Sequence, residues 1–116
     1  MAFRVEISPG AFEDLDDIAG YIRKRGSFES AERWFNGIID AIRSLERSPG
    51  RCPKADESEE LQSEIRLLLY GKRNRRYKIY FAIHEKINAV RVFHIRHWAR
   101  EPVKANTLHK LMSDET

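Results

Sequence analysis

The spacing of apolar residues changes once along this chain, and the change limits what the chain can fold into. Up to about residue 45 apolar side chains recur every three or four residues, which predicts two amphipathic helices. From residue 64 onward the period is two, which predicts strands, and residues 3–7 predict one more short strand before the helices. The positions are Phe12, Leu15, Ile18, Ala19 and Ile22; Ala31, Trp34, Phe35, Ile38, Ile42 and Leu45; and Tyr77, Ile79, Phe81 and Ile83.

Local signals define the ends of both helices. Ser8-Pro9 supplies an N-cap and a proline at the first helical position, where the missing amide hydrogen costs nothing. Gly26 ends the first helix, Ser27 caps the second, and Ser48-Pro49-Gly50 stops it. Because only two or three residues link the helices, they form an antiparallel hairpin. Residues 51–63 predict a polar surface loop, with or without a turn of helix.

Three strand segments follow, at residues 64–70, 76–83 and 89–97. Short turns join them, which predicts an antiparallel meander. In the last segment both faces of the strand carry apolar or aromatic side chains, which indicates that this strand lies in the interior of the sheet. The helical hairpin must bury its apolar stripes, and one face of this sheet is the only candidate.

The predicted fold class is therefore α+β, with an N-terminal strand, an antiparallel two-helix hairpin and an antiparallel sheet in one domain spanning residues 1–116. Residues 103–116 are predicted to form either a short terminal helix, through Leu108, Leu111 and Met112, or an unpacked tail.

Positive charge is concentrated in the strand region. Residues 66–100 contain ten lysines and arginines and one acid, whereas residues 1–65 contain nine bases and fourteen acids. Tyr and Trp rings are interleaved with these bases, a combination that binds RNA or an acidic partner. The alternative is a sheet whose solvent face is basic without a binding role.

Composition excludes several other classes. The longest uninterrupted apolar run is Ile79–Ile83, far too short to span a membrane, and the first residues lack a hydrophobic signal region. Cys52 is the single cysteine, so no intramolecular disulfide can form and a reducing cytoplasm is expected. With no second cysteine or histidine near it, we expect no metal site and no cofactor.

Three blocks of local sequence accompany this order of elements. The first, in the helical part, is Ile18-Ala19-x-Tyr21-Ile22 and Ala31-x-x-Trp34, followed by Leu45-x-x-Ser48-Pro49. The second is Ile65-Arg66-x-Leu68-Leu69-Tyr70-Gly71-Lys72-Arg73, which leads into Arg76-Tyr77-Lys78-Ile79-Tyr80-Phe81-x-Ile83. The third is Val90-Arg91-Val92-Phe93-His94-Ile95-Arg96-His97, followed by Ala99-Arg100-x-Pro102. Across residues 3–102 the chain resembles the RelE/ParE superfamily of toxins from bacterial type II toxin–antitoxin systems, also called plasmid-stabilisation proteins. The long hairpin resembles the ParE branch more closely.

The resemblance implies one fold and two different activities. ParE-like toxins bind and poison DNA gyrase, whereas RelE-like toxins enter the ribosomal A site and cleave mRNA. A third alternative is a relic that retains only antitoxin binding and autorepression. In each case the resemblance implies a cognate antitoxin, acidic and partly disordered, that forms a hetero-oligomer with the toxin and neutralises its basic surface.

The candidate site residues follow from the resemblance and from the charge. If the chain is a nuclease, the resemblance assigns three residues to catalysis: Lys78 in the strand at 76–83, and His97 and Arg100 at and after the end of the last strand. Lys78 stands where an arginine is typical and lacks its bidentate fork, and the C-terminal tyrosine of many RelE-like enzymes is absent. Binding of the target or of another anion is assigned to Lys72, Arg73, Arg75, Arg76, Arg96 and Trp98.

Overall fold

The computed structural model describes residues 2–56, 58, 64–99 and 105–114. Its helices and strands follow the predicted order, and the α+β fold class is confirmed. The elements are β1 (Arg4–Ile7), α1 (Pro9–Arg25), α2 (Phe28–Arg43), β2 (Ile65–Tyr70), β3 (Tyr77–His84), β4 (Ala89–His97) and α3 (Ala105–Asp114). The polar loop predicted at 51–63 lies partly outside the described residues.

Side-chain caps begin both helices of the hairpin, as predicted. The Ser8 hydroxyl accepts a hydrogen bond from the Ala11 amide, and Pro9 is the first helical residue. At α2, Ser27 and Ser30 each accept from the other's backbone amide, which forms a reciprocal capping box. The Gly26 amide donates to the Ile22 carbonyl and closes α1. Two residues therefore connect the helices.

The four strands form one mixed sheet in the order β1-β4-β3-β2. Strands β2, β3 and β4 form the predicted antiparallel meander, and β4 is interior, as its two-sided apolar pattern indicates. β1 pairs with β4 in parallel, from Arg4 opposite Ala89 to Ile7 opposite Val92. The sequence predicted β1 but not its place in the sheet, because a parallel pairing between distant segments has no local signal.

The helical hairpin covers one face of the sheet. Leu15 of α1 and Ile38 and Ile42 of α2 pack against inward side chains of β3 and β4. These inward side chains are Tyr77, Ile79, Phe81, Val90, Val92 and Ile95. Cys52 is a buried member of this core. Burial raises the pKa of its thiol, so the thiolate is disfavoured at neutral pH.

The opposite face of the sheet is covered by α3. Leu108 is fully buried, and Leu111 and Met112 pack beside it. Its neighbours in this second apolar cluster are Ala55, Ile65, Tyr80, Ala82 and Phe93. Of the two outcomes predicted for the C-terminal residues, the structure shows the packed helix. Within the described residues, no helix is long and apolar enough to cross a membrane.

An ion-pair network joins β1 to β4. The Glu6 carboxylate accepts a hydrogen bond from Arg91 Nε at 2.7 Å and another from Arg4 Nε at 2.8 Å. These two hydrogen bonds hold the pKa of Glu6 below its ordinary value of 4.5, and the bond from Arg91 has the larger effect. Because the pKa of Glu6 is lower in the folded than in the unfolded protein, the ionised carboxylate stabilises the folded state above pH 4.5. This stabilisation is lost as the pH falls through the lowered pKa.

We therefore expect Glu6→Gln to lower the urea midpoint of unfolding at pH 7. The difference from the wild type should shrink between about pH 5 and pH 3, as the pH falls through the ordinary carboxyl pKa and then through the lowered pKa of Glu6. The exposed Glu13 gives a matched control as Glu13→Gln. Equilibrium denaturation at each pH measures both variants. A difference for Glu6→Gln that stays constant across the series would show that the ion pairs add no stability.

Candidate functional site

A β-bulge near the middle of β4 decides which side chains share a face of the sheet. The ladder between β3 and β4 shifts at this point, since Tyr80 pairs with His94 but Phe81 pairs with Val92. Phe93 is therefore the extra residue, and the alternation of β4 reverses after it. Val92 and Ile95, three residues apart, both enter the core beneath the hairpin.

Asp14 of α1 holds the reversed segment in place. β1 ends opposite Val92, so the next part of β4 has no strand on that side within the described residues. Asp14 Oδ2 accepts a hydrogen bond from the Ile95 amide at 3.0 Å and lies 3.0 Å from His94 Nδ1. The His94 ring also stacks on Tyr80, with centroids 5.8 Å apart. The sequence pattern alone assigned Asp14 no role at the site.

Lys78 and Arg96 form a directly opposed pair between β3 and β4. Opposed residues of an antiparallel ladder point to the same face, and like charges there repel each other. In the described part of the chain neither side chain has an acidic partner. The Nε atom of Arg96 is buried and has no hydrogen-bond partner among the described residues. This pair is suited to holding an anion.

His97 lies on the other face of the sheet. It pairs with Tyr77, and the two rings meet edge to face with centroids 5.2 Å apart. Its Nε2 atom is 2.6 Å from the Asn74 carbonyl oxygen, and its Nδ1 accepts from the Ala99 amide at 3.1 Å. These bonds fit the tautomer with the proton on Nε2, and they use both ring nitrogens.

The remaining predicted site residues lie at the same end of the sheet. Lys72 precedes a 3-10 turn formed by Arg73–Arg75. The Trp98 amide donates to the Arg76 carbonyl, and the Arg76 guanidinium lies 5.8 Å from the centre of the Trp98 ring, a cation–π geometry. Trp98 is 41% exposed. Arg100 lies outside the described residues.

A cleft of about 910 Å³ separates α1 from this end of the sheet; we call it the helix–sheet cleft. Its lining includes Tyr21 and Arg25 of α1, Trp34 of α2 and Tyr77 of β3. Burial, and then the neighbouring Tyr21, raise the pKa of the Tyr77 hydroxyl, against a smaller opposite effect of Arg75. Arg75, Arg96 and His97 also line the cleft. The sequence analysis did not assign Tyr21, Arg25 or Trp34 to a site. Tyr21 and Trp34 are nevertheless part of the sequence motifs that resemble the toxin superfamily.

The predicted site residues therefore fall on two faces. Lys78 and Arg96 share one face of the sheet, and by the alternation of an extended chain Arg76 belongs with them. His97 lies on the face that carries the helical hairpin, beside the helix–sheet cleft. The nuclease assignment needs Lys78 and His97 at one phosphate, and the bulge sends their side chains in opposite directions.

Comparison with known families gives a match that covers most of the chain. The family model described as "ParE toxin of type II toxin-antitoxin system, parDE" matches residues 5–102, from β1 to just beyond β4. A search of curated proteins gives no significant match. The matched range contains the hairpin, the whole sheet except Arg4 of β1, and all of the predicted site residues.

Proposed function

Because the chain belongs to the ParE toxin family of type II toxin–antitoxin systems, we propose that it arrests growth by inhibiting DNA gyrase and that a cognate acidic antitoxin neutralises it. The proposal places it in the cytoplasm, where gyrase and its antitoxin are found. Family membership supports the toxin role, and the choice of gyrase over mRNA depends on the geometry of the site.

The observation that carries this choice is the separation of Lys78 from His97. Cleavage of mRNA needs a group that takes the 2′-hydroxyl proton and cations that stabilise charge on the phosphate, all within reach of one bond. His97 is held by Asn74 and Ala99 through both ring nitrogens, and Lys78 points to the other face. This arrangement supports a toxin that acts by binding its target.

One observation favours the second candidate, mRNA cleavage. Lys78 and Arg96 oppose each other on one face of the sheet without an acidic partner among the described residues. Trp98, which is partly exposed, follows Arg96 by two positions, and bases near an exposed ring suit a nucleic-acid strand. In a gyrase inhibitor the same surface would instead contact an acidic region of the target protein. The third candidate, a relic that binds only the antitoxin, predicts no growth arrest.

Induced expression in cells that lack the antitoxin separates the three candidates. We expect growth arrest with early induction of a DNA-damage reporter and no cleavage of reporter mRNA in primer extension. His97→Gln should arrest growth at nearly the wild-type inducer level, because its imidazole performs no chemistry. Loss of a general acid or base would instead reduce cleavage by about 10²–10⁴-fold. Early mRNA cleavage that disappears in His97→Gln would overturn the gyrase proposal. Normal growth of cells that express the wild type would also overturn it and would support the third candidate, a relic that only binds the antitoxin.

A further inference from the structure

A second groove, separate from the helix–sheet cleft, lies between α1 and α2; we call it the hairpin groove. Its volume is about 390 Å³. Phe28, in its lining, is 65% exposed, and Phe12, on the same side of α1, is 45% exposed. Two exposed phenylalanines along one groove indicate a surface that another protein covers. The lining consists of Asp16, Ala19, Gly20 and Arg23 of α1 and Phe28, Ala31, Glu32 and Phe35 of α2.

Two opposite charges stand on the α1 side of the hairpin groove. Asp16 and Arg23 are seven residues apart, about 10 Å along the helix at 1.5 Å per residue. Neither has an ion-pair partner among the described residues. The two positions between them on the same face are Ala19 and Gly20, which offer no side chain for the usual pairing across one helical turn. Both charges are therefore available to a second molecule.

The signs of the charges limit what can occupy the hairpin groove. Glu32 adds a second acid on the α2 side, so the lining carries two acids and one base. A nucleic acid or a uniformly acidic segment would bring negative charge against Asp16 and Glu32, and such like-charge contacts are costly. The occupant must present charges of both signs in a matching order.

A second copy of the chain presents both signs in that order. In a contact with two-fold symmetry the same patch meets itself, so each residue faces the one equally far on the other side of the axis. For an axis between Ala19 and Gly20, Asp16 and Arg23 are equally far from it along α1. Two antiparallel α1 helices therefore place Asp16 of each copy opposite Arg23 of the other. Small side chains at the axis allow the helices to approach closely.

The exposed phenylalanines obey the same symmetry. Phe12 lies four residues before Asp16 on one side of the axis, and Phe28 begins α2 just beyond the other end of α1. The two-fold rotation therefore brings Phe12 of each copy toward Phe28 of the other, at both ends of the contact. One operation matches the charges and covers the exposed rings.

We propose that the hairpin groove is the contact surface of a homodimer, built from two reciprocal Asp16–Arg23 ion pairs flanked by Phe12 and Phe28. The residues that line the helix–sheet cleft take no part in this contact, so each copy keeps its cleft. Because only the two helices of each copy meet, the interface is small, and we expect a dissociation constant in about the micromolar range. This inference goes beyond the proposed function and depends neither on gyrase nor on an antitoxin.

Charge reversal tests the reciprocal ion pairs. Asp16→Arg and Arg23→Asp each turn two attractions into two repulsions, so each should weaken dimerisation by about tenfold or more. An equimolar mixture of the two single variants should restore the dimer as a heterodimer, because one copy then presents two positive charges to two negative charges of the other. Sedimentation velocity of the purified chain over a series of concentrations measures each affinity, after circular dichroism confirms the fold.

Neighbouring residues of the same hairpin supply matched controls. Asp17→Arg reverses the next charge along α1, but Asp17 lines the helix–sheet cleft instead. Phe28→Ala removes an exposed ring of the hairpin groove, and Tyr21→Ala removes a similarly exposed ring that lines the cleft. We expect about a tenfold or greater loss of dimerisation for Phe28→Ala and less than about a threefold change for Asp17→Arg and Tyr21→Ala.

Three results would overturn the proposal. The first is a wild-type chain that stays monomeric at every concentration. The second is a mixture of Asp16→Arg and Arg23→Asp that associates no better than either variant alone. The third is a dimer that survives the groove variants or loses as much affinity in the controls, since its contact would then lie on another surface.

Discussion

Leu108→Ala is expected to lower the free energy of unfolding by about 2–5 kcal/mol, the usual cost of truncating a fully buried leucine. Leu108 is the fully buried residue of α3 and lies against Ile65, Tyr80 and Phe93 on the second face of the sheet. Truncation leaves a cavity between α3 and the sheet, and no other described helix covers that face.

The neighbouring position supplies the control. His109 is exposed in the same helix, so His109→Ala should change stability by no more than about 0.5 kcal/mol. Urea denaturation followed by circular dichroism measures both variants. If the denaturation curves of Leu108→Ala and His109→Ala coincide, α3 does not stabilise the sheet. The C-terminal residues would then behave as an unpacked tail, the alternative prediction from the sequence.

Gly71→Ala is the second substitution for which we expect a large loss, of at least about 1–3 kcal/mol from backbone strain. Gly71 opens the turn between β2 and β3 with φ of +102°, a conformation that a residue with a Cβ rarely adopts. A Cβ there would also collide with the Arg75 carbonyl. Because backbone atoms cannot swing aside, the whole basic turn must shift.

Gly20→Ala is the matched control and should have the opposite sign. Gly20 lies within α1, and a Cβ added to it meets no atom within 4 Å. Alanine is favoured over glycine in a helix by about 1 kcal/mol, so this variant should unfold at a higher urea concentration than the wild type. A Gly71→Ala variant as stable as Gly20→Ala would show that the turn tolerates a different backbone path.

The helices and strands could be predicted because their signals are local. Ser8, Gly26 and Ser27 mark helix ends by hydrogen bonds within a few residues, and the alternation of β3 requires no knowledge of its neighbours. The pairing of β1 with β4 joins residues more than eighty positions apart. Nothing in either segment alone specifies it.

The candidate site was harder to predict because it depends on the bulge at Phe93. Without that extra residue, His97 would face the same side as Lys78, and the nuclease assignment would have its histidine and lysine together. The bulge is stabilised by Asp14, from a helix eighty positions earlier. An alternating pattern does not reveal such a shift when both faces of the strand are apolar, as they are in β4.

The most direct test of the proposed function uses purified components. Gyrase, supercoiled plasmid and ATP are incubated with increasing amounts of the chain, and cleaved and supercoiled DNA are separated on gels. The proposed function predicts that linear, gyrase-bound DNA accumulates or supercoiling stops with dose, that the antitoxin reverses the effect, and that His97→Gln behaves like the wild type. Unchanged gyrase activity, together with cleavage of ribosome-bound mRNA by the same preparation, would contradict it.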